Sequence, residues 1–256
     1  FSPYRELRWH YRSRHHDLIN FSNKHFYDRR LLVFPSPESA LRSGLGVRYH
    51  KVDTTYSGGG VNPVEAKQVA EAAISALKER PDWSIGVVAI NLAQTDLIRE
   101  EFDQMLLRDE RAREIWESWE STLYPGFIKN LENVQGDERD RIIISTVYGP
   151  KSDGTVDQRF GPILYRQGHR RLNVLFTRAR MRVDLYSSMT FSDIEVVEDR
   201  SSLGVHALHD YLKYAETLRS EVGSENNRHP RSDFEIHIAD VLRSRGYEVV
   251  PEIGSK

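Results

Sequence analysis

The chain has 256 residues, 39% hydrophobic and 29% charged, with a formal net charge of −2 and no cysteine. That composition supports a packed core and excludes a disordered chain, a disulfide framework and any Cys-based zinc site. The balanced charge gives no global attraction for nucleic acid, so any basic surface has to be local. No apolar run reaches the length of a membrane span and no signal peptide opens the chain, so the expected location is cytoplasmic, with no membrane partner. The abrupt start at Phe1-Ser2 and the end at Gly254-Ser255-Lys256 read as those of a piece cut from something longer.

Taken in order, Tyr11 and Arg12 precede a helix expected over His15 to Tyr27, with Leu18, Ile19, Phe21, Phe26 and Tyr27 available to pack. His15, His16 and Asp17 are metal-ligand types. Neighbours on a helix diverge by about 100°, however, so no metal site is expected there. Gly44 to Asp53 reads as a strand. Ser57-Gly58-Gly59-Gly60 lacks the Gly-Lys-Ser/Thr of a phosphate loop and reads as a flexible connection. Asn62 as N-cap, Pro63 in the first turn and Glu65 as capping-box partner open a helix. Its buried stripe is Ala66, Val69, Ala70, Ala73, Ile74 and Leu77, and Pro81-Asp82 ends it.

Ile85 to Ile90 is a continuous apolar strand of the parallel-sheet kind. The turn after it leads to a second helix with Leu97, Ile98, Phe102 and Met105 inward. Polar turns at the C-terminal ends of parallel strands are where α/β sheets bind ligands, which makes Asn91, Gln94 and Thr95 candidates. Plain helix capping by Asn91 or Thr95 is the alternative. Arg108 to Ser121 reads as a surface helix with Trp116 and Trp119 as an aromatic seam, and Phe127 to Asn130 as a short strand. Gln135-Gly136 permits a close backbone approach. Ile142 to Val147 is another buried strand, with Ser145 and Thr146 at its end suited to touching a phosphate. Residues 149–168 form a long loop.

Arg170 to Arg180 reads RRLNVLFTRAR and is expected as one helix with Leu172, Leu175, Phe176 and Ala179 on its buried face. On such a helix Arg171 and Arg178 face the same side, about 10 Å apart. These guanidinium groups either pair with internal acids or meet an anionic ligand. Val183 to Ser187 is a further strand, and Met189 to Ile194 closes the α/β layer structure. Beyond Glu198, Gly204 to Ser220 reads as an amphipathic helix with Val205, Leu208, Leu212 and Leu218 among its apolar positions. Glu221 to Arg231 reads as a polar linker. Ser232 and Glu235 then cap a helix with Phe234, Ile238, Val241 and Leu242 facing in, and Tyr247 to Ile253 starts a strand.

The order Tyr11-Arg12-Ser13, Asn62-Pro63-Val64-Glu65-Ala66, VQGDERDRIIIS from Val134 to Ser145, and RRLNVLFTRAR resembles the second motor lobe of superfamily 1 helicases. Within that superfamily it is most like the branch that holds the RNA-surveillance helicase and senataxin. The likeness covers about residues 5 to 190. It implies a RecA-like parallel sheet flanked by helices, as the C-terminal lobe of an ATP-dependent DNA or RNA helicase or translocase. In it Tyr11 stacks near the nucleotide base, Arg12 reaches the phosphates, Glu138 lies near the ribose beside Gln135 and Gly136, and Arg178 is the arginine finger. The backbone of single-stranded DNA or RNA meets Asn91, Gln94 and Thr95, with Ser145 and Thr146. The cofactor implied is ATP with Mg2+. The P-loop lysine and magnesium ligands belong to a first RecA-like lobe, so the fragment alone is expected to hydrolyse no ATP.

The expected domains are 1–195 for the lobe, 196–230 for a helix and linker, and 231–256 for the start of another domain. There the Ser-x-Phe-Glu helix followed by Gly-Tyr-x-Val resembles the opening of a Vsr-like, restriction-endonuclease-type domain. Two other readings stand beside the motor. One is a non-hydrolysing nucleic-acid-binding scaffold attached to a nuclease domain. The other is a docking domain whose arginines form only internal ion pairs.

Overall fold

Five strands, each too short to bury its residues alone, collect into one parallel sheet in the computed structural model, which describes residues 9–33, 36, 44–198, 200–222 and 233–247. The strands are β1 (Gly46–Lys51), β2 (Ile85–Ala89), β3 (Phe127–Asn130), β4 (Arg139–Ser145) and β5 (Ala179–Ser187), in the order β1-β5-β4-β2-β3. The helices are α1 (Asp17–Phe26), α2 (Pro63–Glu79), α3 (Leu92–Leu106), α4 (Glu110–Ser118), α5 (Gly168–Phe176), α6 (Leu203–Val222) and α7 (Asp233–Ser244). Every pairing is parallel, so both faces need cover and the central strands can be apolar throughout. Ile85 to Ile90 and Ile142 to Ile144 are accordingly buried, and α2 lies on β2 and β4 with α3 beside it. Helices α1 and α6 lie against β1 and β5, with α5 packed on both of them. This is the RecA-like α/β architecture expected from the strand and helix alternation. Gly86 lets β3 close on β2, since a Cβ there would sit 2.4 Å from the Phe127 ring.

Several local expectations are corrected. The helix expected over 170–180 stops at Phe176. Thr177 turns its hydroxyl back onto the Asn173 and Val174 carbonyls, and Ala179 already pairs with Arg139 in the sheet. Arg178 therefore sits in the turn between α5 and β5, and the helical spacing from Arg171 does not apply. The first helix starts only at Asp17, with His16 as its cap. His15 and His16 stack at 4.5 Å and approach the Asp17 carboxylate at 3.2 and 3.3 Å, so the argument that helical geometry splays these three fails. Their ligand atoms all lie within 4.8 Å of one another. Tyr27, past the helix, is exposed rather than packed.

The glycine run is not a loose connection. Gly58, Gly59 and Gly60 all take left-handed φ, and Gly60 is fixed at both ends, donating to the Tyr56 hydroxyl and accepting from Asn91 Nδ2. Trp116 packs edge-on against Phe102 of α3, so the aromatic seam of α4 is a packing surface.

Past residue 195, α6 packs onto the same core. Val205, Leu208, Tyr211, Leu212 and Ala215 of α6 are buried, and Tyr211 stacks on Phe176 with 3.5 Å between ring centres. Residues 205–215 of α6 thus share the core of the sheet and its helices. In α7, Ile238 and Leu242 are exposed rather than facing a core, and Tyr247 is exposed. The cap expected from Ser232 and the strand after Tyr247 lie outside the described residues, as do the side chains of Phe234 and Glu235. No helix among the described residues is long and apolar enough to cross a membrane.

Candidate functional site

Parallel strands leave two distinct rims, one where strands start and one where they end. At the first rim β4 and β5 begin side by side, which gathers the loop before β4, the turn before β5 and the segment 9–14. That segment is pinned to β5 by the Arg14 amide donating to the Arg180 carbonyl at 2.8 Å, and is folded on itself by His10 and Ser13 at 2.8 Å. Burial and the Arg12 charge push the His10 pKa down to about 4. Arg12 meets Glu138 at 2.7 Å. Arg178 donates through Nε to the Val174 carbonyl at 2.8 Å and through Nη1 to the Asp137 carbonyl at 3.2 Å. Among the described residues no carboxylate lies within salt-bridge distance of Arg178. Burial lowers its pKa, and the nearby Arg12 charge lowers it further against the opposing pull of Glu138. Two guanidinium groups beside one Glu carboxylate favour the arrival of an anion.

Gln135 and Gly136 are exposed in the same loop, with Gly136 at φ +91, and Tyr11 is 79% exposed. The first rim thus brings together Tyr11, Arg12, Gln135, Gly136, Glu138 and Arg178 in neighbouring segments. Arg171 is elsewhere, on α5, paired with Glu132 at 2.7 Å. Arg180 is held by Asp140 at 2.9 Å.

At the second rim the five other candidates meet as well, but four of them face inward. Gln94 is fully buried, accepting from the Asn62 amide at 2.7 Å and donating to the Asn62 carbonyl and the Ser145 hydroxyl. Thr95 donates to the Asn91 carbonyl, Ser145 to Glu65 and Thr146 to Ser187, all from buried positions. Asn91 is half-buried, caps α3 by accepting from the Gln94 amide at 2.9 Å, and holds Gly60. Side chains already spent on one another brace the rim from within. Its outer surface is made by Val64 and Leu92, both exposed, the glycine run, and the N-terminal ends of α2 and α3.

Sequence reasoning missed the hub of this network. Glu65 is not a capping-box partner, because the Asn62 amide donates to Gln94 instead. Its carboxyl is fully buried and accepts from the Ser145 hydroxyl at 2.6 Å and the Val147 amide at 2.7 Å. Burial pushes its pKa up to about 7 against those hydrogen bonds. The available signal was its spacing, four residues before Val69 on the buried stripe of α2.

The chain is 35% identical over 227 residues to an uncharacterized ATP-dependent helicase, MG140, of Mycoplasma genitalium, covering 86% of this chain and 19% of that protein. It is 31% identical over 246 residues to the MG140 homolog of Mycoplasma pneumoniae, covering 91% of this chain and 21% of that protein. It therefore spans about a fifth of the length of these curated relatives. Among solved structures it is similar to the C-terminal domain of a possible DNA helicase from Lactobacillus plantarum, at 14% identity and a TM-score of 0.39, covering 79% of this chain and 96% of that one. Residues 2–188 match the family AAA_12, described as an AAA domain, and the chain belongs to that family.

Proposed function

We propose that this chain is the C-terminal motor lobe of an ATP-dependent superfamily 1 DNA or RNA helicase or translocase, of the branch that includes the RNA-surveillance helicase and senataxin. The observation that carries the reading is Arg178: half-buried, without a carboxylate partner among the described residues, and aimed from the same rim as Arg12 and Glu138. An arginine that cannot shed its charge, held by two backbone carbonyls, is prepared for a phosphoryl oxygen. A finger of this kind stabilises the charge of the transferring γ-phosphoryl group and is typically worth about 10³–10⁵ in rate.

Arg12 supplies a second phosphate contact, released from or shared with Glu138, while Glu138 reaches the ribose. Tyr11 offers an exposed ring for the base, and Gln135 and Gly136 approach the nucleotide through backbone. ATP arrives with Mg2+, and a first RecA-like lobe of the same protein supplies the P-loop lysine and the magnesium ligands. The opposite rim carries single-stranded DNA or RNA. There the braced side chains of Gln94, Thr95, Ser145 and Thr146 hold the loops, while Asn91 and the N-terminal amides of α3 meet the backbone phosphates with little sequence preference. Residues 231–256 open a Vsr-like nuclease domain, and the protein works in the cytoplasm. The relatives named ATP-dependent helicases support the motor reading over a non-hydrolysing scaffold.

The test is Arg178→Ala in the full-length protein. Turnover with single-stranded nucleic acid present should fall by about 10³ or more while nucleotide affinity stays within a few-fold. Full turnover in that variant removes the motor reading. The isolated chain, assayed for phosphate release, should show no magnesium-dependent hydrolysis.

A further inference from the structure

The strand β4 ends in an unusual turn. Val147 has φ +73, in the left-handed region that β-branched residues avoid. The Tyr148 amide donates back to the Thr146 carbonyl at 2.8 Å, closing a three-residue γ-turn of the strained hand around it. A conformation of this kind persists only where its surroundings over-determine it. Here both peptide groups of Val147 are gripped by the first turn of α2. Its amide donates to Glu65 Oε1 at 2.7 Å, and its carbonyl accepts from Asn62 Nδ2 at 3.3 Å. Asn62 is itself fixed to Gln94, and its Nδ2 also reaches Ser188 Oγ at 3.2 Å. Glu65 is an expensive clamp. It is wholly buried, and among the described residues no charged side chain pairs with it. An apolar residue would pack the same place at less cost, but could not hold the Val147 amide.

The turn directs the loop that follows. Gly149 passes so close to Ser188 that a Cβ would meet its hydroxyl, and the Pro150 carbonyl accepts from the Tyr56 amide at 2.7 Å. Tyr56 in turn holds Gly60, and Gly60 holds Asn91. The direction of one γ-turn thereby sets the glycine run and the cap of α3, which together form the outer surface of this rim.

We propose that Glu65 is a positioning residue for the nucleic-acid strand: with Asn62 it holds Val147 in its γ-turn and so places the loops that touch the strand. This rests on the proposed strand-binding role of this rim. None of the groups that fix Arg12 and Arg178 belongs to the network, so the effect is confined to strand binding.

The experiment measures the affinity of the full-length protein for fluorescent single-stranded DNA and RNA oligonucleotides of mixed sequence, alongside its affinity for a fluorescent ATP analogue. Glu65→Ala should weaken strand binding about tenfold or more and leave nucleotide binding within about twofold. Glu65→Gln keeps an acceptor oxygen and should stay within about threefold of wild type. Adding Val147→Gly to Glu65→Ala should restore most of the strand affinity, because glycine takes this φ without a clamp. Should Glu65→Ala not fold, Asn62→Ser carries the test: it keeps the helix cap, removes the Val147 carbonyl contact, and should weaken strand binding several-fold. Wild-type strand affinity in a folded Glu65→Ala or in Asn62→Ser overturns the proposal alone, as does loss that Val147→Gly fails to restore. If the wild-type protein binds neither oligonucleotide, the strand-binding reading falls and this proposal with it.

Discussion

The two rims of the sheet use similar amounts of polar chemistry to opposite ends. The rim where strands start carries Arg12, Glu138 and Arg178 half-exposed, in segments tied down mainly through backbone hydrogen bonds. The rim where strands end carries Gln94, Thr95, Ser145 and Thr146 buried, each with its donors spent on neighbours. The difference follows from charge. Small neutral side chains can satisfy one another without water, whereas a guanidinium without a carboxylate has to keep a path to solvent or to an anion. Residue type alone therefore picks out side chains with room for a ligand at the first rim, whereas the side chains it picks out at the second are turned inward.

The contrast can be broken most forcefully at Arg178. Arg178→Ala in the full-length protein should cost about 10³ or more in turnover with the thermal midpoint almost unchanged, as measured by steady-state kinetics and a melt. A large drop in midpoint instead would make the first rim structural like the second. Next comes the pH dependence of the second rim. The Glu65 pKa is about 7 when folded against an ordinary 4.5, so the folded state holds a proton that the unfolded state has released. Its contribution is most favourable below pH 4.5 and is lost as pH rises to 7. That loss is on the order of 3 kcal/mol. Tyr49 feels its charge and is itself raised far above this window by burial. Chemical denaturation across that range should show the decline in the wild type relative to Glu65→Gln, and parallel pH profiles for the two would count against it.

Smaller again is Gln94→Ala. It strands the Asn62 amide and should lower stability by about 1–3 kcal/mol while leaving nucleotide affinity unchanged, which denaturation and a nucleotide-binding assay can read. The smallest effect is Arg171→Ala. Its pairing with Glu132 is half-exposed, so the loss should stay below about 1 kcal/mol and shrink further in salt.

The sheet was legible because buried parallel strands announce themselves as apolar runs, and α2 because Asn62, Pro63 and its stripe agree. The candidate first rim was legible only as motifs, since what assembles it is long-range: the Arg139 amide reaching the Arg178 carbonyl and the Arg14 amide reaching Arg180. The same pairing draws residues 178–180 out of the helix that their local periodicity suggests. Glu65 was hidden for a different reason. A glutamate three residues after an N-cap has a standard local role, and nothing local indicates that a strand end will claim its carboxyl first. The reach of the core into α6 was equally invisible, because an amphipathic helix after a polar stretch does not say which surface it covers.

That helix has a mechanical consequence. Tyr211 lies flat on Phe176, two residues before Arg178, and edge-on to Phe21 of α1, while the Tyr214 hydroxyl holds the Asp17 carbonyl at the head of α1, just beyond Arg12. The two cationic segments are therefore spans resting on a single pier. The distance between their guanidinium groups is gauged by a strut encoded far downstream of both, and a strain applied along α6 would reach them together.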